Sequence, residues 1–182
     1  MKILNAFIIA FALLLQPLSA SAEPLTVAVA ANVKYAFDEL ASEFTKQTGV
    51  AVRGVVSSSG KLTSQIKSGA PYDVFLSADM EYPAILFKDG QATSPPRVYA
   101  YGALVLWTAK DVDLSKGVAG LVDSSFKKVA IASPKLAPYG RDAIKALEFY
   151  KVRAAVDPKL VYGESISQVN QYIDTKSVEV GF

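Results

Sequence analysis

The 182-residue sequence contains no histidine and no cysteine. Those two absences remove the usual general base, the usual zinc ligands and the thiolate nucleophile together, and much of enzymology goes with them. Neither sign of charge dominates: 19 Lys and Arg stand against 17 Asp and Glu, a formal net charge of +2, with no run of five like charges. A protein that grips a nucleic-acid backbone needs a concentrated cationic footprint, so nucleic acid is not an expected partner. What is abundant is apolar: 51% of the residues are hydrophobic and 20% charged, which excludes a disordered chain and suffices for one ordinary domain or two small lobes.

The first 22 residues read as a secretory signal peptide. Lys2 supplies a positive start, Ile3 to Leu15 is almost wholly apolar apart from Asn5, and Ala20-Ser21-Ala22 is a small-x-small cleavage site before Glu23. The apolar core is shorter than the ~20 residues a membrane-spanning helix needs. No cysteine follows the cleavage point, which excludes lipid attachment there. The mature chain, residues 23–182, has no second long apolar segment and is expected to be soluble outside the cytoplasm, in the periplasm.

Beyond residue 23 apolar, β-rich runs alternate with stretches of helical period. Leu25 to Ala30 predicts a strand, and Phe37, Leu40, Ala41 and Phe44 recur at helical spacing up to Gly49. Val50 to Val56 is the next strand, and Leu62 and Ile66 mark a short helix before Gly69. Asp73 to Ser77 is a third strand, almost continuously apolar as in a sheet covered on both faces, and Glu81 to Lys88 a third helix. Ser94-Pro95-Pro96-Arg97 is a breaker, followed by Val98 to Thr108, an extended run long enough to leave one sheet and enter another. The second half repeats the plan with strands at 128–132, 159–162 and 178–182 and helices at 140–150 and 165–173. Strand-helix alternation implies parallel α/β sheets, here in two lobes, 23–101 and 102–182. The apolar strand Val178 to Phe182 has no closing turn or helix after it, so the second lobe is expected to be C-terminally truncated.

In parallel α/β sheets, ligands collect beyond the carboxyl ends of strands, where helix N-termini converge. Four such junctions carry unusual residues. Ala30-Ala31-Asn32 delivers an amide with two donors to a helix start, or a plain N-cap. Ser57-Ser58-Ser59-Gly60 offers three hydroxyls and exposed N–H groups suited to an anion, or a solvated turn. Ala137-Pro138-Tyr139-Gly140 can present the Tyr139 N–H and hydroxyl at a helix start, or bury a satisfied tyrosine. Ser165-Ile166-Ser167-Gln168 fits an S-x-x-Q capping box that leaves the Ile166 N–H free, or is only a cap.

Taken together the junctions offer many neutral donors and few acceptors, which suits a fully ionised oxyanion. Glu164 would repel such an ion if it pointed inward, so it is expected to face solvent or pair with a lysine. Other motifs fail. Gly54 to Lys61 is one residue too long for a phosphate-binding loop, and Leu62 replaces its hydroxyl. The nucleophile-elbow pattern is absent, which leaves Ser59 with Lys61 as the one conceivable hydrolytic pair. Asp73, Asp79 and Glu81 lack calcium-loop spacing.

At these residues the chain resembles the molybdate-binding proteins of bacterial ABC importers, a periplasmic solute-binding family. The resemblance runs through Ala30-Ala31-Asn32, Ser57 to Leu62, Gly69 to Asp79, Ala137 to Gly140 and Gly163 to Ile166, and the Gly69 to Asp79 block is its most specific part. It implies a two-lobed α/β solute-binding fold of type II, hinged by crossover strands and closing on one oxyanion. It also implies ligand contacts from Asn32 and Ser59 in the first lobe and from Tyr139 and Ile166 in the second, Ile166 through its backbone N–H alone. Molybdenum would enter only as the molybdate oxyanion. The implied function is periplasmic binding of molybdate, and also tungstate, for delivery to a membrane permease, by a monomer with no cofactor and no catalysis. Sulfate or another small oxyanion, and a secreted Ser-Lys hydrolase, are the rival readings. Protonated phosphate should be refused for want of an acceptor, and the lobes should close by a hinge near residues 98–104.

Overall fold

The computed structural model describes residues 23–182, so the signal peptide read over residues 1–22 lies outside the described residues. The first lobe contains β1 (Leu25–Ala30), α1 (Lys34–Thr48), β2 (Val52–Ser57), α2 (Ser59–Lys67), β3 (Val74–Leu76) and α3 (Glu81–Lys88). The second contains β4 (Val129–Ala132), α4 (Pro138–Phe149), the short α5 (Arg153–Val156), β5 (Leu160–Gly163), α6 (Ile166–Asp174) and β6 (Val180–Gly181). Each lobe is built on a three-stranded sheet with its first strand in the middle, in the orders β2-β1-β3 and β5-β4-β6. All four strand pairings are parallel, so every carboxyl end within a sheet points the same way.

The central strands are buried, apart from Leu25 at the start of β1, because both of their faces are covered. β4 shows the division residue by residue. Val129 and Ile131 pack with Leu147, Val156 and Val180, while Ala130 and Ala132 face Val169, Ile173 and Val178. The first lobe has a smaller core, Val27 and Val29 of β1 against Phe37 of α1. Gly49, in the left-handed region at φ 74°, ends α1 by donating its N–H to Thr45 O at 2.9 Å.

Two expectations need correction. The spacing of Phe37, Leu40, Ala41 and Phe44 does mark a helix, but only Phe37 is buried; Leu40 is 66% and Phe44 43% exposed, because one short sheet presents too little surface to cover the whole stripe. The run Val98 to Thr108 forms no strand. It meets the second sheet at a single antiparallel bridge, where Trp107 and Gly181 exchange two N–H···O=C bonds of 3.0 Å. Its β-rich composition is not enough, since a strand needs a neighbouring edge to pair with, and Tyr101 is 94% exposed. The turn Gly117–Val122 and the short α5 have no counterpart in the sequence reading, since no periodicity marks elements of only one or two turns.

The strand read over 178–182 narrows to Val180–Gly181, although ladder bonds continue on either side, from Glu179 N to Lys128 O and from Phe182 N to Ala130 O, both 3.1 Å. Burial pushes the Glu179 carboxyl up. Hydrogen bonds from Lys110 Nζ at 2.9 Å and from the N–H groups of Lys128 and Lys127 outweigh that and leave it below the ordinary carboxylate range.

Candidate functional site

Because the strands within each sheet are parallel, their carboxyl ends deliver four turns to the gap between the lobes. β1 leads into the turn Ala31–Val33 with Asn32, and β2 into Ser58 and Ser59 at the start of α2. β4 leads through a short loop to Tyr139 in the first turn of α4, and β5 to Ile166 at the start of α6. One small cavity is lined by all of these, with Ala78 and Pro138. Asn32, Ser59, Tyr139 and Ile166 are therefore brought together, two from each lobe.

The lobes are in contact around this cavity. Gly60 N donates to Leu136 O across the gap at 2.8 Å, Lys61 Nζ binds Glu164 Oε1 at 2.8 Å, and Tyr82 OH reaches Lys135 O at 3.4 Å. Arg141 of the second lobe pairs with Asp79 and, at 3.2 Å, with Glu81, and donates to Tyr82 OH at 3.1 Å. Only about 10 Å³ of it is open to the centre of a water-sized sphere, about what one water molecule occupies.

What the cavity offers is mostly donors. The first N–H groups of a helix have no intrahelical partner and carry partial positive charge. Residues Ser58, Ala137 and Ser165, which precede α2, α4 and α6, make no side-chain capping bond. The N–H groups of Ser59, Tyr139 and Ile166 find no acceptor among the described residues. Ser59 is 1% exposed, and its Oγ accepts the Ala78 N–H at 3.0 Å. A hydroxyl that accepts from the backbone still has its own proton to give. Ala78 belongs to the Gly69 to Asp79 block, so that motif fixes the orientation of Ser59.

At Asn32 and Ser165 the plain capping reading does not describe what is seen. Asn32 caps nothing, since α1 starts after Val33 without a side-chain cap. Ser165 makes no capping bond, and Gln168 Oε1 takes the Glu164 N–H at 2.7 Å instead of reaching Ser165. The Tyr139 hydroxyl lies against Gly102, where an added Cβ would overlap it, so the backbone N–H is what Tyr139 leaves at the helix start. Tyr99 lies near Tyr139. Burial, with Tyr139 beside it, pushes the Tyr99 phenol up, and it donates as a neutral group to Ser77 O at 2.8 Å.

Nearby cations are already paired. Glu164 meets the expectation made for it by binding Lys61, which also leaves Lys61 Nζ engaged away from Ser59, so the Ser-Lys pair of a hydrolase is not formed. Burial opposes the charge of Arg141, but Tyr82, Asp79 and Glu81 more than offset it and raise its pKa. No group of three His, Cys, Asp or Glu able to hold a metal ion occurs among the described residues.

Among the described residues the buried side-chain polar atoms left without a partner are Asn32 Oδ1 and Ser58 Oγ, and both residues line this cavity. Leaving such an atom unpaired costs about 1–3 kcal/mol. A half-turn of the Asn32 amide exchanges its oxygen for an NH₂ donor, which an ionised guest would favour. Ser58 is the site residue that sequence reasoning passed over: it lies in the hydroxyl-rich turn, but the residue before a helix reads as a cap, and nothing in the sequence shows that the capping bond is not made.

Comparison with known proteins gives concordant results. The profile of the family described as bacterial extracellular solute-binding protein matches residues 25–182. The molybdate-binding protein ModA of Azotobacter vinelandii is 39% identical over 180 residues, 98% of this chain and 71% of that protein. ModA of Rhodobacter capsulatus is 39% identical over 166 residues, 91% of this chain and 66% of that protein. Among solved structures, the periplasmic molybdate-binding protein of Azotobacter vinelandii matches with a TM-score of 0.79 at 33% identity, covering 87% of this chain and 70% of its own. The chain thus spans 66% to 71% of the length of the two curated relatives described.

Proposed function

Because the chain belongs to the bacterial extracellular solute-binding proteins, we propose that it binds molybdate between its two lobes in the periplasm and delivers it to the membrane permease of an ABC importer. One observation carries this reading. Three uncapped helix N-termini and two partnerless buried polar atoms meet at a single cavity whose neighbouring cations are already paired. A dianion leaving water loses several kcal/mol of hydration or more, and only a nearly complete shell of donors replaces it. Asn32, Ser59 and the N–H groups of Tyr139 and Ile166 are the proposed shell. The lobes, 23–101 and 102–182, would hinge at the run after Pro96, in the monomer released by cleavage after Ala22.

Tungstate has the charge and shape of molybdate and is assigned to the same site. Sulfate carries the same charge on a smaller tetrahedron, so discrimination rests on size against a closed set of donors. No cofactor or catalytic step belongs to this function.

Titration calorimetry of the purified protein with molybdate, tungstate and sulfate tests the assignment. One ion per chain is expected, with molybdate and tungstate bound more tightly than sulfate; a preference for sulfate would transfer the function to sulfate. Asn32→Ala and Ser59→Ala should each weaken molybdate binding by about 1–3 kcal/mol, the usual cost of removing one partner of a charged hydrogen bond. Unchanged affinity in both variants would remove the site.

A further inference from the structure

The orphaned hydroxyl of Ser58 leads beyond this donor set. Ser58 stands at the N-cap of α2, where a serine ordinarily turns its Oγ to the N–H of the second or third helical residue, here Gly60 or Lys61. It makes neither bond, although it is 2% exposed and its Oγ is wholly buried. One of those two partners is engaged across the cleft. Gly60 N–H, the nearer capping partner, is given to Leu136 O of the second lobe at 2.8 Å.

We propose that Ser58 is a further oxyanion donor, coupled to lobe closure: contact with Leu136 takes the Gly60 N–H, and the Ser58 hydroxyl, deprived of its cap, serves the ion instead. The proposal rests on the oxyanion reading of the cavity, which Ser58 lines together with Asn32, Ser59, Tyr139 and Ile166. It has a physical logic of its own. With the lobes apart, Ser58 caps α2 and loses nothing. With the lobes together and no ion, its hydroxyl is buried without a partner, so closure is unfavourable. With the ion present that penalty disappears, and closure becomes conditional on occupancy. Ser59 lacks this property, because its Oγ is already held by the Ala78 N–H within the same lobe.

Calorimetry with molybdate and thermal melting without it, on wild type, Ser58→Ala and Ser58→Thr, test the proposal. The Ser58→Ala protein should bind molybdate about 10- to 100-fold more weakly, the loss expected for one hydrogen bond to a charged acceptor. Its ion-free melting temperature should lie within a few degrees of wild type. Ser58→Thr, which keeps the hydroxyl, should recover most of the affinity. Wild-type binding with Ser58→Ala within twofold of it would overturn the proposal and leave the oxyanion reading intact. A marked fall in ion-free melting temperature of Ser58→Ala accounting for the lost affinity would also overturn it, by making the hydroxyl part of the fold. Failure of the wild type to bind molybdate would overturn the oxyanion reading, and this proposal with it.

Discussion

Replacing Gly140 by alanine is expected to destabilise the second lobe by about 3 kcal/mol or more, at the upper end of what overpacking costs. A Cβ at this position would lie 2.7 Å from the carbonyl carbon of Ala132 and 2.9 Å from Pro134 N, and closer still to Ala132 O. All three are backbone atoms. Ala132 ends the central strand β4 and is 1% exposed, so it has no room to retreat, and the strain must be taken by lifting α4 off the end of the sheet. The residue before Gly140 is Tyr139, so the same displacement moves one of the proposed donors. Thermal unfolding followed by circular dichroism should show a melting temperature about 6–12 °C lower than wild type. A change of less than about 2 °C would mean that the approach of α4 to β4 is not as tight as the structure has it.

Gly60→Ala is expected to act on closure more than on folding. The added methyl would lie 2.8 Å from Leu136 O and 3.1 Å from Leu136 Cα, in the other lobe, and 2.7 Å from Tyr82 OH, the mobile end of a side chain in its own lobe. Lobes that are apart avoid the first two contacts, and Tyr82 can yield to relieve the third. Only the closed arrangement suffers, losing the bond from Gly60 N to Leu136 O and acquiring a clash in its place. Together these amount to about 2–3 kcal/mol, or roughly a 30- to 150-fold loss of molybdate affinity. Stopped-flow measurement should find most of the change in the dissociation rate, because closure is what retains the ion. Affinity within threefold of wild type would show that the lobes need not approach this closely to hold their ligand.

The cavity was legible in part for a topological reason. Once strands and helices alternate, the sheets are parallel and the strand ends within each sheet converge, which groups the Asn32 turn with the Ser57 to Gly60 turn and the Tyr139 turn with the Ile166 turn; that the two pairs face each other, and that Ser59 is the serine of the set, came from the family resemblance. That Glu164 would face solvent or pair with a lysine was legible from charge alone, since a carboxylate beside a set of oxyanion donors must be neutralised or turned away; that the lysine is Lys61 was not. Other features depend on partners that lie far off in the chain. Leu40 and Phe44 keep a helical period whether or not a sheet covers them. Val98 to Thr108 has strand composition and lacks a neighbouring edge apart from Trp107 against Gly181. The role of Ser58 turns on where the Gly60 N–H goes, and its acceptor is 76 residues downstream, at Leu136.

The absence of a free cation from the cavity wall bears on selectivity. An unpaired lysine or arginine would attract any anion, whereas fixed neutral dipoles reward only a guest whose oxygens fall where the donors already point. Arg141 and Lys61 contribute differently. By pairing across the gap with Asp79, Glu81 and Glu164 they link the lobes while leaving neither cation free to attract an anion. The half-exposed Lys61–Glu164 pair is worth little by itself.

The central claim is that a doubly negative ion is held by uncharged donors from both lobes, and crystallography of the protein grown with molybdate, with anomalous diffraction collected at the molybdenum absorption edge, tests it most directly. The account expects a single strong anomalous peak in the cavity, with oxygens in hydrogen-bond contact with Ser59 Oγ and the N–H groups of Tyr139 and Ile166. A peak beside Lys61 or Arg141, or no ordered peak at a concentration that saturates calorimetric binding, would contradict it.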